Sequence, residues 1–404
     1  MTPDGWRRVR LADVTDECKD RNGDRLGGER LFAVTKAEGM VPMRDRVKGQ
    51  DFNRCKVVRP GAFAYNPMRL NIGSIARWAG ERDVMVSPDY VVFKCDPDQL
   101  DDSFLDQYRQ STAWTRFMED AGKGSVRVRI YYGNLAELEL PLPPLPEQRK
   151  IAAILGSVDE AIRATQAVID QTRTVKQGLL QELLTRGIGH TRFKQTEIGE
   201  VPEVWEVRAL EDVVPPDQPI TYGIVQAGPH VEDGVPYIRV SDMSGSELTT
   251  EDMLRTAPEI AARYSRSMVR PGDLVFALRG KIGHVLPVPE VLDGANLTQG
   301  TARISPGANV LPAFLLWAMR SSTVLEQILL AAKGSTFKEI SLSSLRRIWF
   351  PIPPADEQAK IVELVAAADA AERSAEQERE ALLRLKDGLM QNLLTGRVRV
   401  NPDA

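Results

Sequence analysis

The chain has 404 residues, 43% of them hydrophobic, and a formal net charge of -4. That length leaves room for more than one core, while the lack of any apolar run of about 18 residues and of an apolar stretch in the N-terminal MTPDGWRRVRLADV argues against a membrane span or signal peptide, making the cytoplasm the expected compartment. Cys18, Cys55 and Cys95 are odd in number, have no CxxC spacing and accompany only His190, His230 and His284, a pattern of reduced structural thiols rather than of a disulfide framework or metal centre.

Net charge alone speaks against a nucleic-acid partner, but its distribution does not. Residues 30–59 hold eight Lys/Arg, among them Arg44, Arg46 and Lys48, against three acids, and local clustering is what matters for phosphate contact.

In chain order, the first recognisable unit begins with WRRVRLADV at Trp6 and continues through short β-rich runs such as VRPGAFAY and YVVFKC to a helical stretch, SFLDQYRQSTAWTRFMEDA. The same order returns later: WEVRALEDV at Trp205 matches WRRVRLADV, VRPGDLVF at Val269 matches VRPGAFAY at Val58, and KGS occurs at Lys123 and at Lys333. A second helical stretch, PAFLLWAMRSSTVLEQILLAA, follows at Pro312. Both globular parts are expected to be α+β.

Each globular part leads into a long helix. PPLPEQRKI at Pro143 and PPADEQAKI at Pro353 open two segments that stay in register without a gap from Pro141/Pro351 to Thr185/Thr395, a shift of 210 residues. In the first, Ile151, Ile154, Val158, Ala161, Thr165, Val168, Thr172, Val175, Leu179 and Leu183 recur at coiled-coil spacing. In the second, Ile361, Leu364, Ala368, Ala371, Ala375, Leu382, Leu385, Leu389 and Leu393 do so, with Glu378 as the one polar break. Pro146 and Asp356 suit the first turns, Glu147 and Glu357 sit where the helix dipole favours an anion, and Gly187 and Gly396 mark the exits. Rods of about 60 Å are expected. Neither has a core of its own, so an antiparallel pair related by a pseudo-two-fold axis is predicted, with a globular domain at each end. The predicted division is 1–142 and 190–352 for the two globular domains, 143–189 and 353–398 for the two helices, and 399–404 as a tail.

Catalytic signatures are wanting. GKGS at Gly122 and AAKGSTFK at Ala331 lack phosphate-loop spacing. Asn66-Pro67-Met68-Arg69 misses the second proline and the aromatic of an amino-methyltransferase motif. Pro88-Asp89 with Lys94 places Val92 where a nuclease needs an acid. Two non-identical domains held a fixed span apart suit a binder of two short targets, and on duplex DNA such readers meet one face when their sites are about 34 Å apart. Candidate DNA contacts lie in polar, Gly-punctuated loops: Arg69, Asn71, Lys123, Ser125 and Arg127 in the first domain, and Tyr222, Arg239, Arg279, Lys281, Lys333, Ser335, Thr336 and Lys338 in the second. Arginine can take guanine bidentately and asparagine adenine, while lysine and serine more often hold phosphates. Rival expectations are a DNA methyltransferase or nuclease with divergent motifs, or a two-headed protein-binding scaffold.

The boundary segments LPLPPLPEQRKIAAIL and FPIPPADEQAKIVEL, the helix ends QGLLQELLTRG and DGLMQNLLTGR, and the domain-opening segment FKQTEIGEVPEVWEVRALEDV at Phe193 together resemble the specificity (S) subunit of type I restriction-modification enzymes. The likeness runs along the whole chain, although Trp6 to Val14 keeps only the end of that opening segment. It implies two target recognition domains that read an asymmetric bipartite double-stranded DNA sequence, with the helices setting the spacer. It also implies docking of two modification (methyltransferase) subunits and of restriction/translocase subunits. S-adenosylmethionine, ATP and Mg are then expected on those partners, with no cofactor, no metal and no catalysis in this chain.

Overall fold

The computed structural model describes residues 3–43, 52–121, 129–248, 250–334 and 338–401. The chain divides into two compact units, residues 1–167 with 376–404, and residues 168–375. Each is α+β, and each repeats the plan of the other.

In the first unit a four-stranded antiparallel sheet runs in the order Thr15–Glu17, Val91–Cys95, Phe63–Tyr65, Ile75–Arg77. In the second the order is Thr221–Tyr222, Thr301–Ile304, Leu274–Ala277, Val285–Pro287. Alternation sorts the side chains: Phe63, Tyr65 and Phe93 face a core shared with the helices, whereas Ala64 and Val92 face a second, smaller cluster. Phe63 and Phe93 stack with ring centroids 5.0 Å apart.

Helices α1 (Asp102–Tyr108), α2 (Thr112–Ala121), α3 (Tyr132–Leu135) and α4 (Leu145–Thr185) follow the first sheet. In the second unit α5 (Pro258–Arg263) lies between its strands, and α6 (Pro312–Met319), α7 (Ser322–Ala331), α8 (Leu342–Arg346) and α9 (Ala355–Leu393) follow. Each expected single helical stretch is therefore two helices. The break falls at Ser111 and at Ser321; Ser321 caps α7 by accepting from the Val324 backbone N–H at 3.3 Å. A serine hydroxyl competes with the helical backbone for hydrogen bonds, and this favours a new start over continuation.

Strands from the opening segments close each unit. Arg7–Arg10 pairs antiparallel with Glu139–Leu142, and Glu206–Ala209 with Trp349–Ile352. This sets a buried tryptophan over the first turn of each long helix. Trp6 Nε1 donates to Glu147 at 3.1 Å, and Trp205 Nε1 donates to Glu357 at 2.8 Å. The next residue is duplicated too. Gln148 donates to the carbonyls of Gln99 and Pro143 and accepts from the Asp101 N–H; Gln358 donates to those of Asn309 and Pro353 and accepts from the Leu311 N–H. Asp101 and Leu311 precede α1 and α6, so each glutamine ties the start of a long helix to the start of a domain helix. The 210-residue register thus begins at Gln99/Asn309, well inside the globular parts.

Within each unit the long helices run antiparallel. In the first, Glu147 holds Arg399, which follows α9, and Asp159 holds Lys386. In the second, Arg173 meets Glu372, Lys176 meets Asp369, and the Ile188 N–H that follows α4 meets Glu357. Gly187 and Gly396 take φ of +67° and +71°, the left-handed conformation that ends a helix most easily at glycine.

The seam differs from its heptad reading. Ile151, Leu155, Ile169, Val365 and Met390 are buried, but Val168, Val175, Leu364 and Leu385 are 45–56% exposed. Glu378 lies on the exposed side, while beyond the first turns the buried polar positions among the described residues are Thr165, Glu372 and Lys386. A straight helix turns in 3.6 residues and drifts by about 20° per heptad from a strict 3.5 repeat, so the predicted Val158, Thr165, Leu183, Ala375 and Leu393 are buried while others of the same pattern turn outward.

Candidate nucleic-acid interface

In the second unit the hairpin joining Leu274–Ala277 to Val285–Pro287 carries Arg279 and Lys281. Its turn uses Gly280 and Gly283 at φ of +71° and +86°, where a β-carbon would be strained. The hairpin is tied to the loop between α7 and α8: the Ile340 N–H donates to Leu278 at 3.0 Å, Arg279 and Glu339 form an antiparallel bridge, and Lys333 and Glu339 exchange backbone hydrogen bonds at 2.9 Å each way.

These segments wall a cleft of about 720 Å³ in which Arg239, Arg279 and Lys338 stand with Thr298, Gln299 and Glu339. Arg279 lies over a glycine; a β-carbon on Gly300 would sit 3.0 Å from its Nε. The exposed Arg279 and Lys338 side chains suit contact with an acidic ligand. Arg239 is differently placed. Asp242 holds its guanidinium through Nε at 3.0 Å and Nη2 at 2.6 Å, and these hydrogen bonds push its proton affinity up. A fork already held by a carboxylate contributes charge and shape more than free base-reading donors.

The other candidates fall around this cleft. Lys333 joins it through the ladder with Glu339. Lys281 turns away, with Nζ 3.4 Å from the Met243 carbonyl. Tyr222, 45% exposed, lines an adjoining cleft. A reading by charge passes over Thr298, Gln299 and Glu339; only the placement of the LTQG turn beside the hairpin could have revealed the first two.

In the first unit the equivalent hairpin, residues 66–74, carries Arg69 and Asn71, both exposed beside the exposed apolar Met68 and Ile72. It is anchored as in the second unit: the Ile130 N–H donates to Pro67 at 3.0 Å, 210 residues before Ile340. Arg44, Arg46, Lys48, Lys123, Ser125, Arg127, Ser335 and Thr336 lie outside the described residues.

This geometry defines a class: a duplicated α+β scaffold that presents the same polar hairpin twice with different side chains. The family model described as the type I restriction modification DNA specificity domain matches residues 62–172 and 202–384. The chain belongs to that family. It is 29% identical over 293 residues to the type I restriction enzyme EcoBI specificity subunit of Escherichia coli, covering 68% of this chain and 61% of that one. It is 27% identical over 296 residues to the type I restriction enzyme MjaVIII specificity subunit of Methanocaldococcus jannaschii, covering 70% and 68%. Thus the chain spans less than two thirds of the EcoBI subunit. The fold is also that of the S subunit of a type I restriction-modification system from M. genitalium, with TM-score 0.59 and 16% identity over 98% of this chain and 99% of that one. A chain from a structure on complex assembly and conformational transition of the type I R-M system matches with TM-score 0.59 and 21% identity, over 98% and 100%. Among the described residues, no helix is long and apolar enough to cross a membrane.

Proposed function

We propose that this chain is the non-catalytic, DNA-recognising specificity subunit of a type I restriction-modification complex. Residues 1–142 read one half of a bipartite asymmetric sequence and residues 190–352 read the other. The helices 143–189 and 353–398 set the spacer and carry the modification subunits, two per complex, with restriction subunits joining them. S-adenosylmethionine, ATP and Mg belong to those partners. The observation that carries the reading is the repeated reader: one hairpin, anchored by the same backbone bond to the same following loop, presents Arg69 and Asn71 in one unit and Arg279 in the other. Duplication with divergent tips is what recognition of two different half-sites requires. The exposed Val168, Val175 and Leu364 support docking of further subunits on the helices.

Arg69, Asn71, Arg279 and Lys338 are the base-edge candidates; Lys333 and Lys281 suit phosphates. Selection from random duplexes by the chain together with its modification subunits tests the reading. Two short constant blocks separated by a fixed run of unspecified bases are expected, and enrichment of one continuous block, or of none, would overturn it.

A further inference from the structure

Arg303 lies in the Thr301–Ile304 strand at the centre of the second unit's sheet and is only 8% exposed. Its Nη1 donates to the Met268 carbonyl at 2.8 Å, while its Nε has no partner among the described residues. Burial pulls its proton affinity down against the opposing pull of Asp273. An incompletely paired charge at such a place costs free energy unless a counter-ion completes it.

The internal repeat shows that the scaffold does not demand this arginine. Arg303 pairs across the sheet with Val275, and in the first unit the matching pair is Val92 with Ala64. There Val92 is fully buried among Val58, Ala62 and Val84. A polar group has therefore taken a position that the fold fills with an apolar one.

Arg303 lines a cleft of about 530 Å³, and Arg266, Arg270 and Arg346 stand on its other walls, against Asp217 and Asp273. Asp273 is partly engaged by its own turn, accepting from the Arg270 backbone N–H at 2.8 Å, and Arg346 Nη2 donates to the Ile220 carbonyl at 2.7 Å. Four arginines against two aspartates leave the cleft electropositive. It also adjoins the first cleft: Thr221 and Tyr222 wall one, and Ile224 and Val225 wall the other.

We propose that this cleft seats an oxyanion of the phosphate class, and that in the assembled complex its occupant is a backbone phosphodiester of the DNA beside the second half-site. The planar guanidinium fork matches two phosphate oxygens, and the unpaired Arg303 Nε gains the acceptor that the chain does not supply. The assignment rests on the specificity-subunit reading above.

The test uses the chain complexed with its modification subunits and duplexes containing the selected motif, in which single phosphates around the second half-site are replaced in turn by uncharged methylphosphonates. Wild-type complex is expected to lose about threefold to tenfold in affinity at one or two adjacent phosphates, and the salt dependence of binding to fall by about one unit of slope. Arg266→Ala and Arg270→Ala, both at exposed positions, should weaken binding of the unmodified duplex by a similar factor, keep the motif, and show no further loss at those phosphates. Arg303→Met should behave likewise where it folds. Full methylphosphonate losses in both exposed-arginine variants would overturn the proposal. So would titration of the isolated chain in which inorganic phosphate binds, Arg270→Ala abolishes that binding, and the duplex profile stays wild-type, since the site would then serve free phosphate. A wild-type complex that selects no sequence defeats the specificity reading itself, and the phosphodiester assignment with it.

Discussion

Lys176 Nζ lies 2.9 Å from Asp369 Oδ1 in the second unit, and the residues 210 positions away, Lys386 and Asp159, form the same pair at 2.5 Å in the first. Both lysines are largely buried between helices, with side chains 18% and 10% exposed. Gln110 and Gln107 complete the first pair, accepting from Lys386 and donating to Asp159. Buried polar pairs of this sort select one helix register over its neighbours, because any slip strands a charge.

Lys386→Met should therefore destabilise the first unit by about 3 kcal/mol, since Asp159 keeps its burial and loses its cation. The charge-exchanged double variant Lys386→Asp/Asp159→Lys should recover part of that loss. Urea unfolding of the wild type, Lys386→Asp, Asp159→Lys and the double exchange gives the coupling directly. Additive effects would show that the pair sets no register.

Gln358 holds three backbone groups at once. Gln358→Glu, which keeps size but at neutral pH cannot donate to Asn309 and Pro353, should cost about 1–3 kcal/mol. Gln148→Glu should cost a similar amount, because its three partners are the equivalents. Thermal unfolding checks both, and an unchanged midpoint in either would remove the glutamines from the account.

Acid should loosen the first unit through Glu147. Burial works against its charge, but the hydrogen bonds from Arg399 and Trp6 outweigh that and hold its carboxyl below the usual carboxylate range. A group whose affinity for protons is lowered by folding stabilises the fold above its unfolded value, and this stabilisation is lost as the pH falls through the folded one. Wild-type melting temperature should therefore fall more steeply than that of Glu147→Gln below about pH 4.5. Parallel profiles would contradict this.

Arg279→Ala should relax sequence choice in the second half-site alone, losing about 1–3 kcal/mol of discrimination at one base pair. Gly300→Ala should act in the same direction, because its new methyl would lie 3.0 Å from Arg279 Nε and 3.1 Å from Val240. Uniform weakening across all sequences in Arg279→Ala would make it a phosphate contact instead.

Much of the plan is legible before any coordinates. The shift between Pro141 and Pro351 exposes the duplication, and the glycines at 187 and 396 fix the helix ends through local backbone preference. Glu147 and Glu357 are visible as helix-start anions. Their bonds to Trp6 and Trp205 are not, because strand pairings between residues far apart in the chain, Arg7 with Leu142 and Glu206 with Ile352, bring each indole into place. Heptad spacing misplaces Val168 and Leu385 because it ignores the drift between 3.5 and 3.6 residues per turn. Arg239 has the composition of a free reader, yet Asp242, three residues on, holds it. Arg303 escapes a reading of the sequence because a single arginine inside an apolar strand pattern carries no mark of what faces it.

The most direct measurement is methylome sequencing of cells that express the modification subunit with either this chain or a chimera whose residues 190–352 come from another specificity subunit. The account predicts a two-part methylated motif for the natural chain, and for the chimera the same first half and spacer with a new second half. A motif that changes in both halves, or that does not change at all, would contradict the assignment of one half-site to each unit.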